Sequence, residues 1–231
     1  METPYRIGTR TSLLALKQVE EVLGLLGTFY PDMKVKVIGI DTYGDKDNIT
    51  PISKIEGTDF FTREIDEALL KEEIDFAVHS AKDIPDILSP GLSIAAFTWC
   101  LDPDDALISR DGKKLEELPD GARIGTSSRR RKDGLKRLRP GLHIVDIRGN
   151  IEQRLKMLEE NNLDGIVIAA CALMRLGLES RITQRIAARD IKPHPMQGRL
   201  AIVTRQDEKD LAGLFSALDD SRRLCGGVAE K

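Results

Sequence analysis

Aromatic side chains make up only 4% of this 231-residue sequence, too few for the stacked platforms that hold single-stranded nucleic acid. Cysteine is scarcer still. Cys100, Cys171 and Cys225 are odd in number and far apart, which argues against a disulfide framework, and three histidines without clustered cysteines offer no zinc-ligand spacing. No apolar run reaches membrane-spanning length, and Met1 to Arg10 lacks the hydrophobic core of a secretory signal. The expectation is a cytoplasmic protein with no membrane partner. No phosphate-binding loop or dinucleotide fingerprint is present, and no Ser-His or Cys-His pair occurs at a spacing that suits a covalent hydrolase.

Charge is present in quantity but unevenly spread. The net charge is -3, yet residues 104–199 hold 20 Lys/Arg against 14 Asp/Glu, while the rest holds 15 against 24. A basic middle segment in an acidic chain implies that one part supplies most of an anion site. Strands are expected at Tyr5–Thr9, Val35–Ile40, Asp75–His79, Leu92–Phe97, Ala106–Ser109, Arg123–Gly125, His143–Ile147, Gly165–Ala169 and Leu200–Thr204. Helices are expected from Ser12 to Leu26, with Leu13, Leu16, Val19, Val22 and Leu23 along one face, from Asp59 to Lys71, after Gly125, from Asn150, and up to Leu176. This alternation predicts an α/β protein of two lobes, each a mixed, mainly parallel sheet flanked by helices and resembling the type II periplasmic-binding-protein architecture, with the ligand in the cleft. The first lobe comprises residues 1–98 with 200–218 and the second 104–194. The chain crosses at 99–103 and 195–199, and 219–231 forms a tail.

Gly125-Thr126-Ser127-Ser128-Arg129-Arg130-Arg131 places three arginines on the first turn of a helix, the end that favours anions over cations. The arrangement makes sense where an anion is expected. Three other strand ends carry similar chemistry: Thr9-Arg10-Thr11-Ser12, His79-Ser80-Ala81-Lys82-Asp83 and Arg148-Gly149-Asn150. Each has a plainer reading. Ser12 and Asn150 suffice as helix caps, His79 as a packed side chain, Lys82 with Asp83 as a surface pair of little worth, and Arg154 and Arg175 as solvated helix positions. Recurrence at four loops around one cleft favours a polyanion site. Asp83, the one acid in those loops, would stay ionised there and could stabilise a cation.

Arg6-Ile7-Gly8-Thr9-Arg10-Thr11-Ser12-Leu13-Leu14-Ala15-Leu16, Ala77-Val78-His79-Ser80-Ala81-Lys82-Asp83-Ile84-Pro85, Gly125-Thr126-Ser127-Ser128 with Arg130-Arg131, Arg148-Gly149-Asn150 and Arg175-Leu176-Gly177-Leu178 together resemble the porphobilinogen deaminase (hydroxymethylbilane synthase) family, from about residue 5 to about residue 220. The resemblance implies a transferase of tetrapyrrole (haem) biosynthesis that joins four porphobilinogen units head to tail and releases ammonia each time. It implies Asp83 as the catalytic carboxylate. It places Arg10, Ser12, Gln18, Ser80, Lys82, Thr126, Ser127, Ser128, Arg130, Arg131, Arg148, Gly149, Asn150, Arg154, Arg175, Gln197 and Gly198 around the acetate and propionate arms of substrate and cofactor. Arg129 stands where the family has an apolar residue and is expected to face solvent.

The family also implies a dipyrromethane cofactor on a cysteine of a third domain. On this resemblance the 231 residues are expected to stop where that domain begins, with Cys225 ahead of the anchor and a partner chain as a possible source of the domain; the chain is otherwise expected to be a monomer. Thr58-Asp59 precede Phe60-Phe61 where the family has basic and glycine residues. Cys100-Leu101 replace a charged hinge pair, and Met196 replaces a glycine. A non-catalytic bilobed binder of a pyrrole or another polycarboxylate is the alternative reading. Nucleic-acid binding through the arginine run is disfavoured by the negative charge and the lack of interleaved aromatics.

Overall fold

The computed structural model describes residues 3–47, 57–160 and 163–220. Two five-stranded sheets form, each the centre of one lobe. The first contains β1 (Tyr5–Arg10), β2 (Val35–Ile40), β3 (Phe76–Ser80), β4 (Leu92–Phe97) and β10 (Leu200–Arg205), in the order β2-β1-β3-β10-β4. The second contains β5 (Asp105–Ser109), β6 (Arg123–Gly125), β7 (His143–Val145), β8 (Gly165–Ala169) and β9 (Gln184–Ile186), in the order β7-β6-β8-β5-β9. The two orders follow one plan. Three strands pair in parallel, and the fourth place goes to a strand antiparallel to both neighbours, β10 in the first sheet and β5 in the second. In each case that strand is the one the chain reaches by crossing from the other lobe.

Both faces of each sheet are covered, so the central strands read as unbroken apolar runs. Successive side chains alternate between faces. Phe76 and Val78 join a cluster with Ile7, Val19, Val22, Leu26 and Phe215, while Ala77 joins Ile65, Leu69, Ile74 and Val203 on the opposite face. In β8, Ile166 and Ile168 pack with Leu155 and Leu173, and Val167 packs with Leu107, Ile124 and Leu135.

The helices are α1 (Leu13–Phe29), α2 (Tyr43–Lys46), α3 (Arg63–Leu70), α4 (Arg129–Leu138), α5 (Ile151–Glu160), α6 (Ala170–Arg175) and α7 (Lys209–Leu214). Three local expectations are corrected. The buried face of α1 is Ala15, Gln18, Val19, Val22 and Leu26, whereas Leu13 and Leu16 are exposed; the first turn sits over the cleft, where Leu14 reaches the second lobe's core. Helix α3 begins at Arg63 rather than Asp59, because 57–62 turns and the Asp59 carboxylate accepts from Arg63 four residues on. The seventh strand stops at Val145, since Ile147 N–H donates to the Ser127 hydroxyl instead of extending the ladder.

Candidate functional site

Parallel strands of both sheets end at the same gap, and ligands of open α/β sheets bind outside such carboxyl ends. The gap is a cleft of about 600 Å³. Arg10 closes β1, Ser80 closes β3, Ser128, Arg130 and Arg131 follow β6, Arg148 to Asn150 follow β7, and Ala169 ends β8. Among the described residues, eight cationic side chains line the cleft (Arg10, Lys46, Lys82, Arg130, Arg131, Arg148, Arg154 and Arg175) against three carboxylates (Asp41, Asp45 and Asp83).

Local sequence fixes these positions. The Ser12 hydroxyl accepts from Ala15 N–H at 3.3 Å and caps α1. Asn150 and Gln153 exchange side-chain-to-backbone hydrogen bonds at 2.9 Å, a reciprocal cap that starts α5. Gly149 has φ +96 and lies so close to Gln153 that a Cβ would clash, while its carbonyl accepts from Arg154 Nε at 2.8 Å. Gln18 donates to Ser80 across the first lobe at 3.3 Å.

Most of the arginines are held by carboxylates far away in sequence. Arg10 is bidentate to Asp45 and lies over the Phe61 ring, 4.5 Å from its centroid. Phe60 and Phe61 sit edge to face, as do Phe60 and Tyr43, so three of the few aromatics pack at this wall. Arg130 and Arg131 both grip Asp105, whose side chain is wholly buried. Arg175, with 3% of its side chain exposed, reaches from α6 to Glu21 on α1 at 2.7 and 3.0 Å and donates to Gly198 O at 2.9 Å. Arg148 donates to Asp47 O at 3.0 Å, a second link between lobes. Arg129, 80% exposed, faces solvent. Asp45, Asp105 and Glu21 carry no motif of their own in the sequence; an acid at the start of a buried strand, as Asp105 is, is the one local sign that a cation must meet it.

The electrostatics follow from this pairing. Burial would raise the Asp45 and Asp105 carboxyls, but Arg10 and Arg131 respectively hold both below the usual range. Burial lowers the Lys82 ammonium, the charge of Arg131 adds to the lowering, and Asp83 opposes it. Arg154 is pushed down to about 10 by burial and then by Arg131 and Arg148, and burial lowers Arg148. His79 is buried within β3 and pushed down to about 4 by burial and by Arg10, so its imidazole is neutral. Among the described residues nothing donates to or pairs with the Asp83 carboxylate, whereas Asp41 accepts from Thr11 and Asp45 holds Arg10.

Of the positions expected at the site, Arg10, Ser12, Gln18, Ser80, Lys82, Asp83, Ser128, Arg130, Arg131, Arg148, Gly149, Asn150, Arg154, Arg175 and Gln197 line the cleft. Thr126, Ser127 and Gly198 do not. Thr126 and Ser127 are buried, and Ser127 bonds Ile147 in both directions; Gly198 lies at φ +90 against the Asp102 backbone. Cys225 falls outside the described residues. No metal-ligand cluster occurs among the described residues, and no helix there is long and apolar enough to cross a membrane.

Solved structures with the same fold include a putative methionine-binding lipoprotein from Bacillus subtilis (TM-score 0.54, 15% identity, 95% of this chain and 91% of that one). The BvgS VFT2 domain from Bordetella pertussis is another (TM-score 0.51, 17% identity, 93% and 85%). At such identities they show the fold alone. Sequence relatives are far nearer. The porphobilinogen deaminase of Syntrophomonas wolfei is 45% identical over 226 residues, covering 98% of this chain and 74% of the relative. That of Roseiflexus sp. is 42% identical over 231 residues, covering 100% and 76%. The family model described as porphobilinogen deaminase, dipyromethane cofactor binding domain, matches residues 5–213. That span takes in both sheets and every cleft-lining residue, so the chain belongs to the porphobilinogen deaminase family.

Proposed function

We propose that the cleft condenses porphobilinogen head to tail into the linear tetrapyrrole hydroxymethylbilane, with loss of ammonia at each step. The observation that carries this reading is Asp83: a carboxylate with no protein partner among the described residues, in a cleft walled by cations. The acetate and propionate arms of the substrate suit the guanidinium groups, which bind carboxylates in bidentate fashion. When ammonia leaves the aminomethyl group, positive charge spreads onto the pyrrole nitrogen. The Asp83 carboxylate accepts that N–H and faces the charge, with Lys82 and Arg154 on the same cleft wall.

The residues also fit a dipyrromethane. Arg148 Nε is a buried donor without a partner among the described residues, and Lys82 and Arg154 form no ion pair there, so Arg148, Arg154 and Lys82 would hold its carboxylate arms. When bound, that group supplies the pyrrole carbon to which the first substrate is joined.

A unit charge about 4 Å from Asp83 at an effective dielectric of about 20 is worth about 4 kcal/mol, or roughly 10³ in rate. Asp83→Asn is therefore expected to lower kcat for ammonia release about 10³-fold without changing the melting temperature. A variant that keeps activity within about tenfold of the parent would remove Asp83 from this role. Tight binding of porphobilinogen by the parent chain with no ammonia released would favour the non-catalytic binder.

A further inference from the structure

We infer that Asp105 is a positioning residue, a resident carboxylate that occupies Arg131 and Arg130 and competes with ligand carboxylates for them. The first turn of α4 carries Arg130 and Arg131, and the protein already sets a carboxylate against their guanidinium groups. Asp105 Oδ1 accepts from Arg131 Nε at 3.0 Å, Arg131 Nη2 at 2.8 Å and Gln197 Nε2 at 2.9 Å, and Oδ2 accepts from Arg130 Nη2 at 2.7 Å. Arg131 converges Nε and Nη2 on the single oxygen Oδ1, which uses the same guanidinium edge that an incoming carboxylate would take.

Asp105 is held where it is by both crossings. It opens β5 directly after the first crossing and pairs in register with Ala169 at the end of β8. Gln197, in the second crossing, donates to Pro103 O at 2.6 Å and to Asp105, while its own carbonyl accepts from Arg131 at 3.2 Å. Arg131 is thereby kept beside Lys82, whose proton affinity it lowers. A ligand carboxylate reaches Arg131 only by sharing or displacing Asp105, and this sets how strongly that wall grips an acetate or propionate arm.

The inference rests on reading the cleft as a carboxylate site, but it needs no turnover, so a binding probe separates the two. Calorimetric titration with propane-1,2,3-tricarboxylate is made on the parent chain, Asp105→Asn and Arg131→Gln. Asp105→Asn should bind about tenfold more tightly, because a buried guanidinium left without its counter-ion seeks one, and Arg131→Gln should bind about tenfold more weakly. A merely structural carboxylate would not strengthen binding when removed. Because Asp105→Asn also destabilises the fold, the melting-temperature gain in about 10 mM probe is read as well, and it should exceed the parent's; Asp105→Ser carries the same expectation. Unchanged or weaker binding with no larger thermal gain overturns the inference. A parent chain that binds the probe but releases no ammonia from porphobilinogen overturns the proposed activity instead and leaves the role of Asp105 to be decided by the variants.

Discussion

Glu21→Ala cuts one of the hydrogen-bonded links between the lobes. Glu21 lies on α1 of the first lobe and holds Arg175 of α6 through two charge-assisted hydrogen bonds, at 2.7 and 3.0 Å. Removing one partner of a fully buried pair costs about 3–5 kcal/mol, because the other charge is left unpaired in a poor solvent. Two features reduce that figure here. Glu21 keeps 26% of its side-chain exposure, so water screens part of the attraction, and Arg175 retains the Gly198 carbonyl at 2.9 Å. The expected loss is about 2–3 kcal/mol, or a melting temperature about 4–12 °C lower for a chain of this size. Calorimetric unfolding of the parent, Glu21→Ala, Arg175→Met and the double variant gives the coupling directly, expected at about 1–3 kcal/mol. A Glu21→Ala chain that melts within about 1 °C of the parent, or additive single effects, would refute the idea that this pair ties the lobes together.

Two further outcomes are expected. Asp66 is buried in α3, accepts from Ser89 at 2.8 Å and is pushed up to about 6, chiefly by burial. Its folded value exceeds the unfolded one, so its contribution is full below the unfolded value and is lost as pH rises through 6. Asp66→Asn should therefore gain about 2 kcal/mol over the parent at about pH 7.5 and nothing at about pH 4, as read from denaturant melts at the two pH values. Gly134→Ala would ordinarily strengthen the middle of a helix, but a Cβ there would lie 2.7 to 2.9 Å from three Ile191 side-chain atoms; thermal melts should show a loss of about 1–3 kcal/mol.

The sheets were legible because strands buried on both faces read as short apolar runs, as in Phe76–Ser80 and Gly165–Ala169. The cationic cleft was legible because its residues follow strand ends directly, which puts Arg10, Lys82, Arg131 and Arg148 in one place once parallel strands are assumed. The counter-ions were not. Glu21 is 154 residues from Arg175 and Asp105 is 26 from Arg131, and no local pattern connects partners brought together by tertiary packing. The face of α1 was misread for a related reason: its periodicity predicts a single stripe, but the helix meets its own sheet along one line and the second lobe through Leu14.

The placement of β10 dictates an order of assembly. It lies between β3 and β4, which otherwise have no partner for their facing edges, and five of its six residues are buried. Until residues 200–205 have left the ribosome, the first lobe carries an open slot with unpaired backbone on both sides, the kind of edge that invites pairing with another chain. The second sheet spans 105 to 186 without interruption and can close earlier. The N-terminal lobe, although made first, is thus completed last. A release of the chain before residue 205 would leave a folded second lobe tethered to a sticky, gapped first one.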